Sequence, residues 1–241
     1  AHRGAHFNAD VRRAVPSERG RRNRDRGRSG EKIFAHLGPL VPVLANCAEF
    51  PRHATREVNG HFDCMHRLFV AIRPPEAVRD LLIDAMDDSP ALRWVGDEQL
   101  HLTLRFIGEV ERPVPDDIAA ALDRLRSPAS QLRIGGVGKF ERRNGGALWA
   151  AVEPKPPVAA LAAKIERSLQ QVGIEPERRA FTPHITLARW NRRNAEAVDA
   201  FLRRNANLRS EPFDVDRFIL FESKLSRHGA HYEEVAAFAL R

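Results

Sequence analysis

The sequence lacks several features, and each absence narrows the class of protein. It contains only two cysteines, too few for the disulfide framework of a small secreted domain. No apolar run approaches the ~20 residues that a membrane helix needs, since the best candidate is broken by Pro39 and Pro42. No secretion signal, with its basic, apolar and cleavage-site segments in order, stands near the N-terminus. The sequence therefore predicts a cytoplasmic protein without membrane contact.

Most of the chain also lacks a large excess of charge of one sign. The net charge is +7, but residues 1–64 contain 12 Lys or Arg and 7 Asp or Glu, a balance of +5. Residues 65–241 contain 27 basic and 25 acidic residues, a balance of +2. Any contact of residues 65–241 with nucleic acid would therefore come from a local groove, because bulk charge is not available.

Residues 1–64 show no sustained hydrophobic period. They include the arginine run RGRRNRDRGRSG, a composition that cannot bury enough apolar surface to offset the entropy of ordering. We interpret residues 1–64 as a disordered basic extension. An organised pattern begins abruptly at Met65 with MHRLFVAIRPP, so Met65 is a candidate natural start and residues 65–241 are the predicted folded domain.

Residues 65–241 alternate strand-like and helix-like patterns in a repeated order. Residues 65–146 and 147–241 each contain a strand, an amphipathic helix, a strand carrying H-x-T, a second helix and a closing strand. This order predicts an internal duplication with two pseudo-symmetric lobes. Equivalent strands that face each other across the pseudo-axis would bring their polar side chains together in a central cleft.

The two central strands carry the same four-residue motif, H-x-T-L. The motif contains His101 and Thr103 in HLTLRF, and His184 and Thr186 in HITLAR. Side chains alternate between the faces of a strand, so each strand presents its histidine and threonine together. Buried imidazole and hydroxyl groups need hydrogen-bond partners or a ligand, and two matched copies therefore predict a site.

Strand alternation also assigns faces to the neighbouring side chains. It places Arg105 on the face of His101, and it places Phe106 on the opposite face with the leucines. Four aromatic residues are candidates for base stacking, although each could equally be a core residue. These are Trp94, Phe106, Phe140 and Trp149.

Two histidines facing one cleft suit in-line displacement at phosphorus. A neutral imidazole can accept a proton from the nucleophile while a protonated one donates to the leaving oxygen. An ordinary histidine pKa near 6.5 makes both forms accessible around neutral pH. Threonine hydroxyls two residues further along can donate to the non-bridging oxygens. This scheme requires no metal and no cofactor, and no metal-ligand spacing stands near the motifs.

The sequence resembles the 2H phosphoesterase superfamily, and within it the RNA 2′,3′-cyclic phosphodiesterases, also called 2′-5′ RNA ligases. The resemblance rests on the two H-x-T-L motifs, RLFVAI, RWVGDEQLHLTLRFIGEV and FILFESKLSRHGAHY, and it spans residues 65–241. It implies an α+β fold in which a duplicated unit forms two mostly antiparallel sheets that face a central cleft, with helices on the outside.

The resemblance also implies a role for each motif residue. His101 would donate a proton to the leaving 3′ oxygen, and His184 would accept a proton from water. Thr103 and Thr186 would bind the phosphate. The family's second motif often ends in an arginine five residues after its histidine, here Arg189. Alternation places Arg189 on the wrong face unless the strand ends or bulges before it.

The function implied is metal-independent hydrolysis of terminal 2′,3′-cyclic phosphates on RNA or oligonucleotides to 2′-phosphomonoesters, by a monomer. One alternative is reversible 2′-5′ RNA ligation, in which a ribose 5′-hydroxyl replaces water, and another is a different small cyclic phosphate as substrate. A third alternative is a non-catalytic module that binds RNA ends. Retention of both histidines and both threonines argues against that module, because a binder needs no acid–base pair.

Overall fold

The structure is a computed structural model that describes residues 55–58, 61–86, 89–226 and 229–241. All of these residues belong to one of the two units into which the chain divides, Val41–Arg241. Most of the predicted extension 1–64 lies outside the described residues. Its disorder and the candidate start at Met65 therefore stay predictions.

The described residues form eleven strands and four α-helices. The strands are β1 (Thr55–Val58), β2 (His61–Cys64), β3 (His66–Ile72), β4 (Arg93–Trp94), β5 (Leu102–Val110), β6 (Ser130–Arg142), β7 (Gly145–Glu153), β8 (His184–Asn191), β9 (Phe213–Val215), β10 (Arg217–Ser226) and β11 (Gly229–Ala239). The helices are α1 (Glu76–Ala85), α2 (Val114–Asp123), α3 (Lys155–Gln171) and α4 (Ala195–Arg204). Short 3₁₀ turns span Asp97–Gln99 and Arg192–Asn194.

Helices form where apolar residues recur at helical spacing. In α3, Val158, Leu161, Ile165 and Leu169 are buried on one face, as the sequence pattern predicts. The helices cover one face of the sheet, and their apolar side chains join the main hydrophobic core. In the part of the chain that the structure describes, no helix is both long and apolar enough to cross a membrane.

Nine strands form one sheet, and every pairing in it is antiparallel. The order is β11-β10-β3-β5-β8-β7-β6-β9, with β4 attached to the side of β8. We call β11, β10, β3 and β5 lobe 1, and we call β8, β7, β6, β9 and β4 lobe 2. The predicted α+β class and the antiparallel pairing are confirmed, and the two predicted sheets are joined at β5 and β8.

The strand order confirms the internal duplication but corrects the composition of the lobes. The closing strand of the first half, β6, pairs with β7 of the second half, whereas β10 of the second half pairs with β3 of the first. The first half therefore contributes its last strand to lobe 2, and the second half contributes its last two strands, β10 and β11, to lobe 1. The boundary predicted between residues 146 and 147 divides the β6–β7 hairpin, because the pattern along the sequence does not show which strands pair.

A small hairpin precedes the main sheet. Strands β1 and β2 pair antiparallel, with Val58 opposite His61. These eight residues lie in the segment predicted to be disordered, so the prediction does not hold for them. The sequence between the strands is Asn59-Gly60, the pair most typical of two-residue hairpin loops, and this signal could have revealed the hairpin.

Candidate active site

The two H-x-T-L motifs meet where the lobes join. Strands β5 and β8 pair antiparallel through one pair of opposite residues, Leu102 and Ile185. Both side chains are fully buried in the main core. The residues on either side of this pair point to the other face of the sheet. These are His101, Thr103, His184 and Thr186, and all four are partly exposed. The predicted juxtaposition of the motifs in a cleft is therefore present.

A β-bulge at Leu104 corrects the predicted faces of the next two residues. Thr103 pairs with Ala71 but Arg105 pairs with Val70, so Leu104 is an extra residue in β5. Leu104 and Arg105 are both buried on the helix side, and Phe106 is 47% exposed on the cleft side. The prediction that Arg105 shares the face of His101 is wrong, because alternation alone does not account for the bulge.

An equivalent bulge at Leu187 places Arg189 on the cleft face. Thr186 pairs with Trp149 but Ala188 pairs with Leu148, so Leu187 is the extra residue. Leu187 and Ala188 are buried, whereas Arg189 is exposed. The bulge on which the role of Arg189 depended is thus present, and Arg189 is brought to the face of His184.

His184 has one ring nitrogen engaged by the backbone. Nδ1 lies 2.6 Å from the carbonyl oxygen of Thr182. A carbonyl only accepts, so Nδ1 carries the proton, and in the neutral ring Nε2 is left as the basic nitrogen. Phe140 contacts the ring edge-on at 4.8 Å, and the Trp149 ring lies at 6.3 Å. This arrangement orients Nε2 of His184 to accept a proton.

His101 lies in a more desolvated environment. Burial lowers its pKa from 6.5 to about 4, the Gln99 carbonyl acts in the opposite direction, and the nearby charges of His184 and Arg73 lower the pKa further. Within the described residues, Nδ1 of His101 is buried without a hydrogen bond of good geometry. Phe69 contacts the ring at 5.0 Å. The imidazole of the free protein is therefore neutral at pH 7.

Tyr232 is a cleft residue that the sequence analysis missed. Its ring contacts His101 edge-on at 5.3 Å and Phe69 at 5.0 Å. Burial raises the pKa of Tyr232, and the positive charge of Arg189 acts against that rise. Tyr232 belongs to β11 at the far end of the chain, so only the strand order brings it to the site.

Arg73 is a second residue that the sequence analysis missed. Leu102 is opposite Ile72, so the next residue after β3, Arg73, lies beside His101. The Asp97 carboxylate accepts hydrogen bonds from Arg73 at 3.3 Å and from Arg79 at 2.6 Å. The 3₁₀ turn that contains Asp97 immediately precedes His101, so this ion-pair network fixes the approach to the first motif.

Arg105 joins three segments on the helix side of the first motif. Its guanidinium donates to Glu166 of α3 and to the carbonyl oxygens of Phe106 and Glu175. Glu166 also accepts from the Glu177 amide at 3.0 Å. Burial raises the pKa of Glu166, but hydrogen bonds from Gln170 and Arg105 outweigh it, so the net shift is downward. The pair ties β5 to the loop that leads to the second motif.

The four candidate stacking residues have different environments. Phe106 and Phe140 are the exposed ones, at 47% and 37%, and they lie on opposite sides of the histidine pair. Trp149 lies over Gly138, where an added Cβ would approach the indole to 2.3 Å, so the glycine makes room for the ring. Trp94 packs against Phe201 and the main core, which rules it out as a stacking surface.

The cleft face thus combines two imidazoles, two hydroxyls, a guanidinium and exposed aromatic rings. Among the described residues, no group of three or more His, Cys, Asp or Glu side chains could hold a metal ion together. The groups present can transfer protons and bind an oxyanion.

Comparison with known proteins gives a consistent result. The sequence model of the 2′-5′ RNA ligase superfamily matches residues 74–227. A Thermus thermophilus protein named RNA 2′,3′-cyclic phosphodiesterase is 34% identical over 187 residues, which cover 73% of this chain and 90% of that protein. An Aeropyrum pernix protein of the same name is 33% identical over 145 residues, which cover 59% of this chain and 82% of that one.

Solved structures share the fold. Escherichia coli LigT in its apo form superposes with a TM-score of 0.59 at 26% identity, covering 73% of this chain and 98% of that chain. LigT complexed with 3′-AMP gives a TM-score of 0.58 at the same identity and coverage. The matched residues include both H-x-T-L motifs and Arg189. The chain belongs to the 2′-5′ RNA ligase superfamily.

Proposed function

We propose that this chain is an RNA 2′,3′-cyclic 3′-phosphodiesterase, a phosphoric diester hydrolase that opens terminal cyclic phosphates on RNA or oligonucleotides to 2′-phosphomonoesters. One observation carries the proposal. Two H-x-T motifs flank a single buried pair on adjacent antiparallel strands, so that two histidines and two threonines share one cleft. The curated relatives named RNA 2′,3′-cyclic phosphodiesterases support the choice of substrate.

Proton transfer proceeds through the two histidines. Nε2 of His184 takes a proton from water, and the water oxygen forms the new bond to phosphorus. The bond from phosphorus to the 3′ oxygen breaks on the opposite side, and His101 gives that oxygen a proton. The hydrogen bond from Nδ1 of His184 to the Thr182 carbonyl supports the acceptor role, because it leaves Nε2 free. No metal takes part in this scheme.

The threonines and Arg189 bind the reacting phosphate. Thr103 and Thr186 are partly exposed beside the histidines, and their hydroxyls can donate to the non-bridging oxygens. Arg189 adds a guanidinium that can form two parallel hydrogen bonds to the same group. Negative charge increases on these oxygens in the transition state, so donors placed there lower the barrier.

The donor role of His101 requires a bound anion. Because its pKa is lowered to about 4, this imidazole is neutral at pH 7 in the free protein. A cyclic phosphodiester carries one negative charge, and an opposite charge within ~4–6 Å favours the imidazolium. Substrate binding therefore favours protonation of His101, and His101 later donates this proton to the 3′ oxygen.

Residues 65–241 carry this activity in our proposal, as a cytoplasmic monomer, and residues 1–64 are a dispensable extension. Ligation to a 2′-5′ linkage is the second candidate, because the matched superfamily is named for it. It uses the same steps with a ribose 5′-hydroxyl as nucleophile. A non-catalytic RNA-end-binding module needs no free Nε2 on His184, so the geometry favours catalysis.

Product analysis tests the proposal most directly. The full chain, in EDTA, is incubated with an oligoribonucleotide that ends in a 2′,3′-cyclic phosphate. We expect a 2′-phosphomonoester, because the 3′ oxygen leaves. A 3′-phosphate product would mean that the 2′ oxygen leaves, and that the substrate binds between the histidines in the opposite orientation. Absence of any turnover, with the RNA end still bound, would support the binding module instead.

A further inference from the structure

Five exposed arginines lie together at the end of lobe 2 next to the candidate site. Arg93 is opposite Arg189 in the β4–β8 pairing. The turn between β6 and β7 meets the end of β8, where the Arg192 amide donates to the Asn144 carbonyl at 3.1 Å. We call the exposed side chains of Arg93, Arg142, Arg143, Arg192 and Arg193 the arginine stripe.

The strand register orders the stripe relative to the histidines. Cross-strand neighbours form one row that starts at Phe140 on β6, crosses Ala147 and Arg189, and ends at Arg93 on β4. The next row on the same face, ~7 Å further along the strands, begins with Arg142. Since His184 begins β8 and these rows approach its end, the stripe starts at the site and leads away from it.

The positive charge of the stripe is not neutralised locally. Within the described residues, none of its five arginines forms an ion pair with a carboxylate. The nearest carboxylate along β6, Glu141, alternates to the other face, where it contacts Lys139 at 3.3 Å. On lobe 1, by contrast, Arg67 pairs with Glu109 and Lys224 with Glu233. The stripe is therefore the side of the cleft with an uncompensated positive field.

We propose that the arginine stripe binds the phosphates of single-stranded RNA on the 5′ side of the cyclic end, so that the enzyme prefers an oligonucleotide to a cyclic mononucleotide. This inference rests on the proposed function, because the terminal phosphate must occupy the cleft beside Arg189. Guanidinium groups match phosphate oxygens in charge and geometry. The exposed face of Phe140, in the first row, can stack a base of the same strand.

The test compares two substrates on one variant. Arg142→Gln/Arg192→Gln removes two charges of the stripe that lie beyond the row of Arg189. For a cyclic-phosphate-ended oligoribonucleotide we expect kcat/KM to fall about tenfold near 0.1 M salt, through KM, because two phosphate contacts are lost. For a nucleoside 2′,3′-cyclic monophosphate we expect no change, because it does not reach the stripe.

A charge-matched control separates the stripe from the net charge of the protein. Arg124→Gln/Arg167→Gln also removes two exposed arginines, but from the C-cap of α2 and from α3, on the opposite side of the sheet. The control should keep the full preference for the oligonucleotide. RNA affinity is also measured at several salt concentrations. The slope of log affinity against log salt concentration should be less steep by about 1.4 in the stripe variant than in wild type, and unchanged in the control.

The outcomes distinguish this inference from the proposed function. If the stripe variant and wild type process both substrates alike, or if the control loses as much as the stripe variant, the stripe does not bind RNA. If wild type hydrolyses neither substrate, the proposed function fails. The stripe is then judged by fluorescence anisotropy with a 3′-phosphorylated oligoribonucleotide, and equal affinities of the variant and wild type would overturn it.

Discussion

The two copies of the motif share a backbone and differ in their surroundings. In both, the residues from the histidine onward follow the same burial order, with two consecutive buried residues at the bulge and an exposed residue after it. The exposed residue is Phe106 in the first copy and Arg189 in the second. The strand therefore supplies equivalent positions, and the side chains decide what each position does.

The same difference extends to the histidines. His101 lies among Phe69 and Tyr232, next to a small hydrophobic cluster on the cleft side of lobe 1, and its pKa is lowered to about 4. His184 has an edge-on Phe140 and a carbonyl on Nδ1. A symmetric scaffold thus places two imidazoles in unlike environments, which is the arrangement that separate acid and base roles need.

Removing either histidine should give the largest effect. We expect His101→Ala and His184→Ala each to lower kcat by about 1000-fold, the usual contribution of a positioned acid or base. The roles separate with a substrate in which sulfur replaces the 3′ oxygen, because a thiolate leaves without a proton. His101→Ala should recover most of its lost rate on that substrate, and His184→Ala should recover none. Rates are measured by product chromatography.

Unchanged thermal unfolding of both variants is the control, since both side chains are partly exposed and support little of the core. Recovery by His184→Ala instead of His101→Ala would exchange the two roles. Recovery by neither variant would mean that proton donation to the 3′ oxygen is not what His101 does.

The matched positions after the bulges should give the next largest effect. Arg189→Met should lower kcat/KM about 100-fold, mainly in kcat, because Arg189 meets charge that develops in the transition state. Phe106→Leu should raise KM about tenfold with kcat unchanged, because a stacked base is bound equally in ground and transition states. Steady-state kinetics with an oligonucleotide measure both variants.

Two results would remove the distinction between these positions. A pure KM effect of Arg189→Met would make it a binding residue like Phe106. A loss of kcat in Phe106→Leu would indicate that this ring supports His101 through their shared neighbour, Phe69.

The sequence was sufficient to predict that the two histidines and two threonines share one face, because both motifs lie at the start of their strands, before the bulges. It failed for Arg105 and Phe106 because the extra residue at Leu104 reverses the alternation for the residues that directly follow it, up to a second register shift at Ile107. The same reversal moved Arg189 onto the cleft face. A bulge depends on how two strands pair, and apolar residues at consecutive positions do not identify it without the partner strand.

The exchange of closing strands was also inaccessible from the pattern. Hydrophobic periodicity identified β6 and β10 as strands, but pairing is a long-range property that periodicity does not encode. Tyr232 was missed for this reason, since β11 reaches the cleft only because β10 pairs with β3. Arg73 was missed because its relation to His101 follows from the β3–β5 register.

The pKa of His101 gives the smallest effect and the sharpest test of how its environment differs from that of His184. We expect a midpoint near 4 for the free enzyme by NMR titration, with the signal assigned from a His101→Gln spectrum. In the unfolded chain the pKa of this histidine is ~6.5, so between pH 6.5 and pH 4 the unfolded chain binds a proton that the folded protein does not. The contribution of His101 therefore lowers the free energy of unfolding as the pH falls from 6.5 to 4.

A bound nucleoside 2′-phosphate should raise the midpoint of the His101 titration, because its negative charge stabilises the imidazolium. Arg73→Gln should raise it slightly without ligand, since the charge of Arg73 lowers it. A midpoint that does not move with ligand would leave His101 neutral in the complex at pH 7, and it could not then be the proton donor.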